Sequence, residues 1–177
     1  MVAVMMLSAV LAGQAPCAVH VRTNEPRILR LLDLGRERSE TFRGLVERLE
    51  KSDVIVYISP KQTHAALGGF LSHRVIAAGP CRYLRVKVGM ARSDRVLLAL
   101  IAHELQHVAE VAEHPDARDA TSVTAMFEKI ALNNGCAESN CAETQAAIAI
   151  QFAVSEELGA PRTTQTLTSS RTITSEP

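Results

Sequence analysis

The segment Val96-Leu97-Leu98-Ala99-Leu100-Ile101-Ala102 runs without a polar residue straight into His103-Glu104-Leu105-Gln106-His107. That continuity constrains the fold more than any other feature. Ser93 and Asp94 supply an N-cap and an acidic first turn, so the pattern predicts a helix buried on most of its sides. Polar side chains inside such a helix need partners, because each buried group left without one costs about 1–3 kcal/mol. Residues i and i+4 of a helix lie about 40° apart around its axis, so both imidazoles face one way and can hold a single metal ion. Glu104 projects beside them, within reach of a water but outside the ligand set. With 6 His and 14 Glu in 177 residues, this five-residue pattern arises by accident with a probability of about 0.016. The competing reading is a pair of helical histidines that only make hydrogen bonds.

These residues resemble the active-site helix of the zincin metallopeptidases, over this helix and little else by motif. The resemblance implies His103 and His107 as zinc ligands and Glu104 as the general base. One branch is excluded: a metzincin needs Gly and a third His where this chain has Glu110 and Glu113. His114 is one residue out of place and precedes Pro115, where the helix is expected to end.

A tetrahedral catalytic zinc takes three protein ligands and leaves one position open. Downstream candidates are Glu110, Glu113, His114, Asp116, Asp119, Glu128, Glu138 and Glu143. Glu110 lies about 20° from His103 on the wheel, but three ligands at i, i+4 and i+7 of one helix span about 10 Å. A supporting role suits it better, its carboxylate accepting a hydrogen bond from a histidine ring. Asn140 to Val154 reads as a helix in which Ala146, Ala147, Ile150 and Val154 lie within about 60° of Glu143, near the middle of an apolar face. Glu138 falls on the opposite side. Glu143 is therefore the favoured third ligand, with Glu110 the alternative, and the pattern is similar to the gluzincins, whose third ligand is a Glu on a later helix.

Length and a hydrophobic content of 47% suit one domain with a genuine core, placed at residues 19–160. Aromatics at 3% make that core aliphatic. Net charge is zero, with acids and bases interspersed, which points to neither nucleic acid nor an anionic membrane. Residues 1–18 resemble a signal peptide, although no Lys or Arg precedes the apolar run and Pro16 follows the candidate cut; a buried N-terminal strand or helix is the other reading. The run is too short to span a bilayer. Cys17, Cys81, Cys136 and Cys141 suit export as disulfides, most simply Cys17 with Cys81 and Cys136 with Cys141; the alternative is a thiolate metal site, without the usual spacing. Residues 161–177 are rich in Ser and Thr and form a tail that buries too little to fold.

Helices are expected from Pro26 and from Ser39, and another from about Asp119 to Leu132. Strands are expected at Val54–Ile58, Arg74–Ala78 and Tyr83–Val88, the last two joined by a Gly79-Pro80 turn. The resulting fold class is α+β: a small three-stranded, mainly antiparallel sheet on the H-E-x-x-H helix, as in zincins, where an edge strand holds extended substrate. The function implied is an exported Zn2+ metallopeptidase acting on a peptide or protein substrate. A secreted domain with a structural zinc, and a metal-dependent hydrolase of another substrate, are the alternatives. Candidates for oxyanion stabilisation are His64, His73, Tyr57 and Tyr83.

Overall fold

The computed structural model describes residue 17 and residues 19–61, 68–132 and 142–160. The signal segment apart from Cys17, the Ser/Thr tail, His64, Glu138 and the Cys136–Cys141 pair lie outside them. The described elements are β1 (Val21–Thr23), α1 (Pro26–Arg38), α2 (Glu40–Glu50), β2 (Val54–Pro60), β3 (Gly69–Ala78), β4 (Cys81–Val88), α3 (Asp94–Ala112), α4 (Ala120–Ile130) and α5 (Gln145–Gly159).

The class is α+β, but the sheet corrects the expected one: it is four-stranded and mixed, in the order β1-β2-β4-β3. β1 pairs parallel with β2 and β2 parallel with β4, while only β3 and β4 form the antiparallel hairpin. Two causes underlie the difference. β1 has only three residues and depends on partners 35 positions later, as in Val21 with Val56. β4 also inserts between β2 and β3, a pairing choice that alternating hydrophobicity does not encode.

Alternation does fix which face is buried. In β4, Leu84, Val86 and Val88 are fully buried against the helices, whereas Tyr83, Arg85 and Lys87 point away. β2 contributes Val54, Val56 and Ile58 to the same core, and α3 lays Leu97, Leu98, Ile101, Leu105 and Val108 on it. Helices α1 and α2 add Ile28, Leu32, Phe42 and Leu45, and Val154 and Leu158 of α5 close the far side. Cys17 is joined to Cys81 at the start of β4, with Cα atoms 6.1 Å apart, so the chain before β1 is tied to the central strand.

α3 ends without a glycine, and its last carbonyls need another partner. Arg82, fully buried, provides it. Its Nη1 donates to the carbonyls of Val111 (2.9 Å), His114 (2.8 Å) and Ala117 (3.1 Å), and its Nη2 to that of Ala112 (3.2 Å). Nε and Nη2 also grip both oxygens of Asp53, at 2.8 and 2.6 Å. One guanidinium thus clamps the start of β2, the start of β4 and the C-terminal turn of α3, where the helix dipole favours a cation. Burial alone would raise the Asp53 carboxyl, and Arg82 more than reverses this, holding it below its ordinary 3.8.

Arg82→Met keeps the apolar stem and removes the clamp, so it should cost about 3 kcal/mol or more in urea unfolding. Because the folded pKa of Asp53 is depressed, its share of stability is present above 3.8 and is lost as pH falls through the lower folded value. Acid unfolding should accordingly be shallower in Asp53→Asn than in the wild type; identical acid slopes would remove this pair from the account.

Candidate metal centre

α3 is buried from Leu97 to Val111 at every position except Leu100, and the polar side chains of this stretch all lie between His103 and Glu110. His103, Glu104, Gln106, His107 and Glu110 are each no more than 6% exposed. Each is therefore forced to find a partner inside the protein.

The two imidazoles converge. Nε2 of His103 lies 3.2 Å from Nε2 of His107, with the rings edge-on at 83°. Nδ1 of His107 is 2.8 Å from Oε2 of Glu110, so that ring donates through Nδ1 and keeps its Nε2 lone pair for the other side. Glu110 also accepts from the Thr144 hydroxyl at 2.6 Å and from Gln106 at 3.4 Å, and Gln106 in turn accepts from Arg48 at 2.6 Å. Burial pushes the Glu110 carboxyl up, but these hydrogen bonds hold it below its ordinary value.

Glu143 faces the centre from the other side, its Oε2 3.5 Å from Nε2 of His103. The expected route was wrong, however. α5 begins at Gln145, so Glu143 lies in the turn before the helix, with its side chain 40% exposed, and not on an apolar helical face. The cause is Thr144, whose hydroxyl caps the helix at the Ala147 N–H and so starts it five residues later than the apolar pattern suggests. The same hydroxyl bonds Glu110, and this places Glu143 beside the histidines.

Glu104 packs under β3. A backbone hydrogen bond from Leu71 reaches its carboxylate, and a Cβ on Gly69 would stand 2.9 Å from its Oε1 and 3.1 Å from the Lys87 carbonyl. Only glycine lets the strand approach so closely. Burial raises the Glu104 carboxyl to about 7, against the opposing pull of both histidines. A cleft of about 40 Å³, room for an ion and a water or two, is lined by Gly69, Leu71, His73, Phe127, Glu143 and the motif side chains. His73 stacks on Phe127 at 5.2 Å and bonds Thr124 through Nδ1 at 3.0 Å. Tyr57 and Tyr83 line a different cavity, on the opposite face of the sheet.

Zinc–nitrogen bonds of about 2.0–2.1 Å at tetrahedral angles set neighbouring ligand atoms about 3.3–3.4 Å apart. The His103–His107 and His103–Glu143 separations of 3.2 and 3.5 Å bracket that value. Among the described residues no group of three or more His, Cys, Asp or Glu that could hold a metal ion is found. The two imidazoles and the Glu143 carboxylate nevertheless stand near ligand spacing, with the Glu143 side chain 40% exposed. The charges agree with this: burial disfavours a charged His103, yet Glu143, Glu104 and Glu110 together raise its pKa above 6.5. Among the described residues, Nδ1 of His103 is buried without a hydrogen-bond partner.

No protein-family model, curated protein or solved structure matches the chain. The site therefore rests on its own geometry. Sequence reasoning missed Thr144, Gly69 and Leu71; a Thr directly before an alanine-rich helix is a capping signal, whereas a backbone N–H leaves no trace in sequence.

Glu110→Gln should weaken zinc binding about tenfold or more by removing the charge that orients His107. Competition against a chromogenic chelator reads this directly, and unchanged affinity would show that Glu110 does not support the ion.

Proposed function

We propose that the chain is a minimal, gluzincin-like zinc metallopeptidase in which His103, His107 and Glu143 hold the metal. One observation carries the reading: the two Nε2 atoms and the Glu143 carboxylate converge at ligand spacing, beside a buried Glu104 and against a sheet edge. Zinc there supplies a Lewis acid that activates water and polarises a carbonyl. Glu104 takes the water proton at its carboxylate and returns it to the leaving amine; a pKa of about 7 suits both directions near neutral pH. Glu110 keeps His107 in the tautomer that presents Nε2. His73 can accept from the Thr124 hydroxyl at Nδ1, the tautomer in which Nε2 carries the proton and can donate to the developing oxyanion.

Edge strand β3 supports peptide as the substrate class. It lines the cleft with Gly69, Phe70, Leu71 and His73, and among the described residues its outer side has no neighbouring strand. An extended peptide can add there as a further strand. The Cys17–Cys81 disulfide supports export to an oxidising compartment, and among the described residues no helix is long and apolar enough to cross a membrane.

The small volume of the cleft favours one other reading, a secreted domain in which zinc is a structural staple. Glu104→Gln separates the two. An enzyme should keep its zinc and lose about 100-fold or more of its casein or peptide-library hydrolysis. A staple shows zinc-dependent stability and no hydrolysis in either form, and metal retained with unchanged hydrolysis would remove Glu104 from the mechanism.

A further inference from the structure

The chain is neutral overall, but its charge is not evenly spread. No Asp or Glu occurs between Asp53 and Asp94, a stretch holding Lys61, Arg74, Arg82, Arg85, Lys87 and Arg92. This stretch builds three of the four strands, and β1 has no acid either. Arg82 turns inward to its clamp. The others on the strands face away from the helices, and cross-strand register sets Arg22, Tyr57, Arg85 and Ser72 in one row, with Lys87 beside Phe70 in the next. Among the described residues, none of Arg74, Arg85 and Lys87 has an acidic partner within ion-pair distance. A cavity of about 630 Å³ lies over this face, lined by Tyr57, Phe70, Arg74, Tyr83, Arg85 and Lys87. Unpaired like charges gathered on one surface attract an anionic partner.

We infer that this outer face is a docking surface for acidic stretches of polypeptide, continuous with the metal cleft across β3. Two observations favour polypeptide over nucleic acid. Two of the three rings already carry a cation, Arg22 at 5.5 Å from the Tyr57 centroid and Lys61 at 5.3 Å from that of Phe70, so they are not held open for base stacking. Phe70 also lines both the cleft and the outer cavity, on β3, an edge strand among the described residues and long enough for an extended peptide to pair with. Side chains of a peptide strand alternate between faces. A peptide laid along β3 therefore turns every second side chain toward the metal and the others toward Arg74, Arg85 and Lys87. The preferred substrate carries Asp or Glu at alternate positions; this last consequence rests on the peptidase reading, whereas the docking does not.

The test is fluorescence anisotropy of a labelled peptide with alternating Glu, on the full chain carrying Glu104→Gln so that the peptide is not consumed. Binding should weaken with added salt, and Arg85→Glu with Lys87→Glu should reduce affinity about tenfold or more. Arg74→Gln, at an exposed position, keeps the test available should the double reversal fail to fold, and should weaken binding in the same direction. Equal affinity for a matched Lys-rich peptide, indifference to these substitutions, or tighter binding of oligodeoxythymidylate or of phosphatidylglycerol vesicles would overturn the proposal. A peptide that docks as described but is never cleaved by zinc-loaded wild type leaves the docking surface standing and removes the peptidase reading. Cleavage of neutral peptides without acidic docking does the reverse.

Discussion

The burial of α3 on all sides is the constraint on which the rest of the structure depends. A helix packed between a sheet and three other helices has no solvent to satisfy its polar groups, so each must be met by a specific residue elsewhere in the chain. Arg82 meets the C-terminal carbonyls, a Leu71 N–H meets Glu104, and Thr144 and Gln106 meet Glu110. These contacts come from β4, β3, the turn before α5 and α3 itself, and they fix where those elements sit. With those groups satisfied, two imidazole nitrogens face each other at 3.2 Å with a carboxylate alongside. Two lone pairs at that distance repel unless a proton or a metal lies between them.

The same constraint explains how much of the molecule was legible in the sequence. The apolar run before His103 identifies α3, and i, i+4 spacing pairs the histidines, because both are local properties of one helix. Glu110 is readable as a supporting carboxylate for the same reason. Glu143 is readable only as a residue type in the right region. Its position depends on Thr144 choosing between capping its own helix and leaving the apolar pattern to extend backward, and the capping hydroxyl also serves Glu110 from 34 residues away. The parallel pairing of β2 with β4 depends on long-range order in the sheet, and β1 is too short to carry a pattern of its own.

Net charge conceals its distribution for a related reason. A net charge of zero with acids and bases present throughout suggests an unpolarised surface. The acid-free stretch from Asp53 to Asp94 coincides with the sheet, however, and a sheet projects alternate residues onto one plane. A neutral sequence therefore folds into a protein with a cleft lined by His103, Glu104, His107 and Glu143 and an outer sheet face carrying Arg74, Arg85 and Lys87, with Phe70 of β3 lining both. Folding separates what composition averages.

X-ray absorption at the zinc edge, on the full-length protein loaded with one equivalent of zinc, tests the central claim most directly. The account predicts two imidazole nitrogens at about 2.0–2.1 Å with light oxygen donors completing a four-coordinate sphere. It further predicts that Glu143→Ala alters the oxygen shell and leaves both imidazoles in place. A sulfur shell near about 2.3 Å, or failure to bind one equivalent, would contradict it.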